Sequence, residues 1–268
     1  MIDYEKIRMV HAAYEPQLRK ATDEFGDHEG ISLPRITRWI AQFDQDDLPL
    51  AEKILREITY YSSTKIRSIV RQLVESIYEK YSEYPKNRIL FIPIGYSFEG
   101  SSIVARALRD IINEGFIKHM SDLVEIERES YDVLVFLDDF SGTGSQLVKW
   151  WINVESLILP KEVNFIVALL VLNSIARPKI EEFSTVICVD ELDEQYNVLS
   201  EHSTKFTENE KIRIVHYCVL TGCGPHYHRG FGECGLLLVF KHGCPDNSLP
   251  ILWKASVTWE PLFRRSGL

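Results

Sequence analysis

The chain has 268 residues, 45% of them hydrophobic, five cysteines and a formal net charge of −9. That is enough for one large domain or two small ones around a real core, and the negative balance disfavours sequence-independent binding to nucleic acid, which needs clustered Lys and Arg. No run approaches the roughly 18 apolar residues of a membrane helix, MIDYEKIRMV carries acids where a signal peptide is basic then apolar, and an odd cysteine count points to reduced thiols, so a cytoplasmic protein is expected, away from membranes.

In chain order, residues 1–86 read as a helical N-terminal extension. Leu50, Ile54, Ile58 and Tyr61 recur at helical spacing, as do Ile66, Ile69, Val70, Leu73, Ile77 and Tyr81. Asp46, Asp47 and Pro49 open the first of these helices and Pro85 lies beyond the second, while Gly26 to Gly30 reads as a loop. Residues 87–200 then alternate strand and helix. ILFIPI is a strand ending at Gly95, Ser102 to Ile112 a helix, Val133 to Leu137 a strand and Leu147 to Leu157 a helix; NFIVALLVLN and TVICVD are further strands. Continuous apolar strands separated by helices predict an α/β core with a mainly parallel sheet covered on both faces. Residues 201–268 form an irregular or β C-terminal extension packed on that core, with IRIVHYCVL and GLLLVF expected as strands around a Gly/His/Cys loop.

One stretch asks for a ligand. DVLVFLDDFSGTGSQ sets Asp138 and Asp139 at the end of an apolar run, and Ser141, Gly142, Thr143, Gly144 and Ser145 follow as a turn into a helix. In a parallel sheet ligands collect at the carboxyl ends of strands, and the unpaired N–H groups of a helix start favour an anion. The segment therefore offers carboxylates for hydroxyls or a metal beside a cradle for a phosphate. Ordinary helix capping by Asp139 and Ser145 is the plainer reading. A Walker-type NTPase needs a Lys after Gly144, and none follows.

Four apolar residues, two acids and a Thr-Gly turn resemble the ribose-phosphate motif of type I phosphoribosyltransferases. The resemblance implies that Asp138 and Asp139 hold ribose hydroxyls and act in catalysis, and that Ser141 to Ser145 grip a 5′-phosphate. Gln146 stands where that family usually has Thr. In FIPIGYSFEGSS, the strand-to-helix loop carries Gly95, Ser97, Gly100 and Ser101, which by the same resemblance bind pyrophosphate. Together with RWIAQFDQDD and the ending PDNSLPILWKASVTWEPLFRR, these segments resemble the phosphoribosyltransferase-like effector family of bacterial conflict systems, including retron-linked and nucleotide-signalling antiphage operons. That resemblance implies 5-phosphoribosyl 1-pyrophosphate or a related nucleotide as ligand, with Mg²⁺ carried by the ligand and touched by Asp138 and Asp139. It also implies a protein partner from the same operon, such as a reverse transcriptase or signalling component, with nucleic acid entering only through that partner or as an acceptor. The alternatives are a non-catalytic ribose-phosphate or nucleotide sensor, since INEGFIKHMSDLVEIERES is short for a catalytic hood, and an interaction protein of such a defence system whose pocket is vestigial.

Other groups have plainer readings. Cys223, His226, His228 and Cys234, with His216, Cys218, His242 and Cys244 nearby, match no standard zinc spacing and read as a Gly-rich loop with incidental imidazoles. Asp190 to Glu194 reads as a solvated loop, and Trp150 with Trp151 as core and surface residues of one helix.

Overall fold

The computed structural model describes residues 3–94, 100–124, 131–158 and 163–265, with backbone alone at 100–102, 123–124 and 157–158. The chain divides into two compact units: Met1–Ser63 with Glu194–Leu268, and Thr64–Asp193. The expected divisions after residues 86 and 200 do not fall at these boundaries. The N- and C-terminal segments share one core, and the second long helix of the expected leader belongs with the α/β unit.

The discontinuous unit begins with α1 (Tyr4–Glu24), capped by the Asp3 carboxylate, which accepts from the Lys6 N–H at 3.0 Å. Its regular dihedrals break at Tyr14, two residues ahead of Pro16, where the proline ring disfavours helical backbone. Helices α2 (Leu33–Ala41) and α3 (Leu48–Arg56) each carry a proline in the first turn, where a missing N–H costs nothing. Strand β1 (Thr59–Tyr61) follows.

Helix α4 (Ser63–Lys80) buries Ile66, Ile69, Val70, Leu73 and Ile77, the stripe expected from their spacing. Next come β2 (Ile89–Pro93), α5 (Gly100–Arg109), β3 (Val133–Ser141), α6 (Ser145–Ile158), β4 (Asn164–Asn173), the short α7 (Arg177–Glu181) and β5 (Thr185–Leu192). The four strands form one sheet in the order β2-β3-β4-β5, parallel throughout. The fold is α/β, as the alternation of apolar strands and helices predicts. Because β3 and β4 are the inner strands, residues 133–137 and 166–172 are fully buried on both faces, which explains their unbroken apolar runs. On one face Phe136 meets Trp150 edge-on at 4.9 Å, and Trp151 stacks on Phe165 and Phe183, each at 5.0 Å. On the other, Phe91 meets Tyr78 of α4 at 6.1 Å. Trp151 is core and Trp150 half-buried against it, so neither forms a stacking platform.

The chain then returns to the first unit through α8 (Glu208–Leu220) and β6 (Leu238–Phe240). IRIVHYCVL, expected as a strand, is therefore helical. Thr207 and Glu210 form a reciprocal capping box, and Lys53 holds Glu210 at 2.8 Å. The apolar run misled because this helix carries apolar residues on its outer side too: Ile212, Val219 and Leu220 are exposed. The expected strand in GLLLVF is β6, which pairs in parallel with β1, Thr59 opposite Leu238. Trp39, Phe43, Ile54, Tyr217, Leu252, Trp259 and Phe263 lie in this unit's core. No helix among the described residues is long and apolar enough to cross a membrane.

Candidate functional site

The site is built where β3 leaves the sheet. Asp138 still pairs in register with Leu169 of β4 and is 7% exposed; Asp139 is half-buried. One Asp138 carboxylate oxygen accepts the Asp139 N–H at 2.9 Å, which fixes its rotamer. Strand alternation sends the two carboxylates to opposite faces, so a ligand touching both must lie across the strand's end. Ser141 is buried and closes the strand against Leu172.

Gly142, Thr143 and Gly144 make the turn. Gly144 has φ +75°, a left-handed backbone that glycine adopts freely, and its carbonyl accepts the Val148 N–H at 3.0 Å, starting α6. The Thr143 hydroxyl donates to Ser145 Oγ at 3.1 Å and accepts the Ser145 N–H at 3.4 Å. Two hydroxyls and the first amides of a 14-residue helix thus face one another across three residues, the donor set an oxyanion needs. From α7, the Lys179 ammonium donates to the Thr143 carbonyl at 3.1 Å. No motif marks this lysine in the sequence, because it reaches the turn from beyond the next strand.

Asp138, Asp139, Ser141, Gly142, Thr143, Gly144 and Ser145 are brought together as one continuous strand-turn-helix. Gly95 and Ser97 of the expected pyrophosphate loop lie outside the described residues, while Gly100 and Ser101 open α5. The acidic stretch after TVICVD begins inside β5: Arg177 grips Glu191 through two bonds of 2.9 and 2.6 Å, and Lys65 lies 3.7 Å from Asp190. Arg177 also donates to Cys188 Sγ at 3.3 Å, yet burial raises that thiol above its ordinary pKa. Asp193 and Glu194 are exposed.

Among the described residues no three His, Cys, Asp or Glu side chains gather as a metal cluster. In the Cys/His loop, His228 Nε2 instead lies 3.2 Å from the Cys223 carbonyl oxygen. All five cysteines are unbridged.

Fold and site together define an α/β protein whose central parallel strand ends in an acidic pair and a glycine turn. The PRTase-CE family model matches residues 36–265, and the chain belongs to that family. No curated protein sequence matches it. Among solved structures it is similar to a hypothetical protein from Neisseria gonorrhoeae with bound ppGpp, at 15% identity over 51% of this chain and 88% of the other, with a TM-score of 0.35. It is also similar to the Helicobacter pylori xanthine-guanine-hypoxanthine phosphoribosyltransferase, at 12% identity over 50% and 83% of the two chains, TM-score 0.33. A third is the Mycobacterium tuberculosis orotate phosphoribosyltransferase in complex with 5-phospho-alpha-D-ribosyl 1-diphosphate, at 16% identity over 56% and 91%, TM-score 0.32.

Proposed function

We propose that the carboxyl end of β3 binds 5-phosphoribosyl 1-pyrophosphate, or a closely related ribose phosphate, and that the protein transfers the phosphoribosyl group to an acceptor. The observation that carries this reading is the continuity of the acidic pair with the Thr143-Gly144-Ser145 turn at the start of α6. Carboxylates suit ribose hydroxyls, which are donors; hydroxyls and helix-start amides suit a phosphate, which only accepts. Membership of the PRTase-CE family supports the same reading.

In the reaction, the bond from the anomeric carbon to the pyrophosphate oxygen breaks with its electron pair leaving on pyrophosphate. A lone pair of the acceptor forms the new bond at that carbon, and the acceptor's proton passes to solvent. Asp138 and Asp139 hold the ribose and stabilise the positive charge that develops on it. Two carboxylates make a partial donor set for Mg²⁺, which fits a cation held chiefly by the ligand's own oxygens, as is common for Mg²⁺ with phosphates. When bound, that cation neutralises charge on the leaving pyrophosphate. Gly95, Ser97, Gly100 and Ser101 are assigned to the pyrophosphate. The setting we propose is a cytoplasmic antiphage effector working with a partner from its own operon.

A specific observation favours a second reading, a sensor that binds the ligand without turnover. Within the segment expected to be too short for a catalytic hood, residues 117 and 118 dock on the sheet edge: Ile117 bridges to Phe91, and the Lys118 N–H donates to the Phe91 carbonyl at 2.8 Å.

Calorimetric titration of 5-phosphoribosyl 1-pyrophosphate with Mg²⁺ into the wild type and into Asp138→Asn with Asp139→Asn tests the pocket. Binding that the double variant loses supports it, and no binding by the folded wild type rejects it. Pyrophosphate release with an added acceptor then separates transferase from sensor.

A further inference from the structure

We infer that Lys179 is a positioning residue for the phosphate end of this site: it clamps the Thr143 carbonyl and thereby aims the Gly144 amide at the phosphate. The inference rests on the ribose-phosphate reading of the β3–α6 turn, and it adds a residue that the motif does not contain.

A trans peptide is planar, so the Thr143 carbonyl and the Gly144 N–H point in opposite directions. Fixing one end fixes the other. Lys179 Nζ donates to that carbonyl at 3.1 Å, and among the described residues the Gly144 N–H meets no acceptor. It therefore stands ready for a ligand on the side away from Lys179. A glycine between two flexible hydroxyl residues would otherwise let this peptide rotate at little cost, because Gly lacks the Cβ that bars most orientations.

A second observation shows the clamp to be wider than one hydrogen bond. A Cβ on Gly144 would lie 3.2 Å from the Ala176 carbonyl oxygen and 3.4 Å from the Lys179 Cβ. The start of α7 thus packs directly against the turn, and its backbone is held in turn by Asn173, whose side-chain oxygen accepts the Ile175 N–H at 3.4 Å. The N-terminus of β4's following helix is in this way a support for the turn after β3.

Electrostatics act in the same direction. A cation on the carbonyl polarises the peptide and strengthens its N–H as a donor. In a chain of net charge −9, a fixed ammonium beside the turn also offsets the repulsion that a phosphate dianion would meet. Lys179 is exposed, and its partner is a backbone oxygen common to any residue at position 143, so its loss leaves the core untouched.

The test compares wild type, Lys179→Met and Lys179→Arg, with ribose 5-phosphate and Mg²⁺-pyrophosphate as probes in calorimetry and with thermal melts of each protein. We expect Lys179→Met to bind ribose 5-phosphate about tenfold more weakly, the loss of one well-placed charged donor. Lys179→Arg, which keeps a donor and the charge, should recover most of that. Pyrophosphate affinity and the melting temperature should stay within error. If the wild type binds ribose 5-phosphate and Lys179→Met binds it equally well, the clamp is refuted while the site reading stands. If Lys179→Met weakens both probes and lowers the melting temperature together, the residue is merely structural and the inference fails. If the folded wild type binds no ribose 5-phosphate, the site reading itself falls, and the clamp with it.

Discussion

Tyr217 donates its hydroxyl to Asp47 at 2.6 Å, joining α8 to the turn that opens α3. Arg213, one helical turn earlier, donates to the other carboxylate oxygen, and the Asp44 N–H donates to the Tyr217 oxygen at 3.0 Å. Burial and the neighbouring Asp47 carboxylate raise the phenol above its ordinary pKa, so it remains a donor throughout the neutral range. Removing the hydroxyl by Tyr217→Phe should cost about 1 kcal/mol, and Asp47→Ala about 2 kcal/mol, because it strands a buried phenol. The double variant should cost less than the two together, the signature of a shared contact. Urea denaturation of the four proteins gives the answer, and strict additivity would mean the bond contributes nothing.

His28 predicts a pH dependence. It is 4% exposed, packs against Phe263 at 5.0 Å and Tyr60 at 6.5 Å, and its Nε2 is buried without a hydrogen-bond partner among the described residues. Burial depresses its pKa, with Arg35 and Arg264 adding to that; the Glu29 carbonyl and Asp27 oppose it. The unfolded chain, with a His pKa near 6.5, therefore holds more protons between that value and the lower folded one. Stability should be full above about pH 6.5 and fall as pH drops through that window. Urea melts at pH 5.0 and 7.5 should show this loss in the wild type and a smaller one in His28→Gln.

Gly144 should tolerate no side chain. At φ +75° an alanine is strained, and its Cβ would press on the Ala176 carbonyl, which is backbone and cannot swing aside. Gly144→Ala should lower stability by about 1–2 kcal/mol. Ribose 5-phosphate binding should be lost even at temperatures where circular dichroism shows the variant folded. Retained affinity would place the phosphate elsewhere.

The loop before β6 makes an opposite pair of predictions. Glu233 is the one described non-glycine residue with positive φ, at 56°, and its side chain is exposed, 4.0 Å from Arg229. Glu233→Gly should raise stability by about 0.5 kcal/mol, relief of strain less the added freedom of the unfolded chain. Two residues on, a Cβ at Gly235 would lie 2.0 Å from Asn197 Oδ1. Asn197 cannot yield, since its side chain donates to the Glu233 carbonyl at 3.0 Å and accepts the Leu199 N–H at 3.1 Å. Gly235→Ala should cost more than about 2 kcal/mol in the same denaturation assay.

Legibility followed the range of the forces. NFIVALLVLN reads as a strand and is β4 from end to end, because an inner parallel strand is apolar on both faces and says so locally. The β3–α6 site is legible for the same reason: acids, glycines and hydroxyls lie within eight consecutive positions. IRIVHYCVL fooled the pattern because an exposed Ile212 and Val219 fill the polar face of α8, although the Thr207 and Glu210 capping pair was visible just ahead of it. Lys179 was invisible, since its partner Thr143 lies across a whole strand and helix. The β1–β6 pairing was equally hidden, as three residues such as Thr59–Tyr61 carry no sign of a partner near the other end of the chain.

That pairing sets an order of events at the ribosome. Thr59 leaves the exit tunnel long before Leu238, and the whole of Thr64–Asp193 is made in between. The four-stranded sheet can close while synthesis continues, whereas α1, α2 and α3 must wait, with Trp39 and Phe43 uncovered, for Trp253, Trp259 and Phe263. A nascent chain that has emerged from the tunnel as far as Asp193 would thus carry a finished β3–α6 turn and an unfinished neighbour, and it is the waiting helices that a chaperone would be expected to hold.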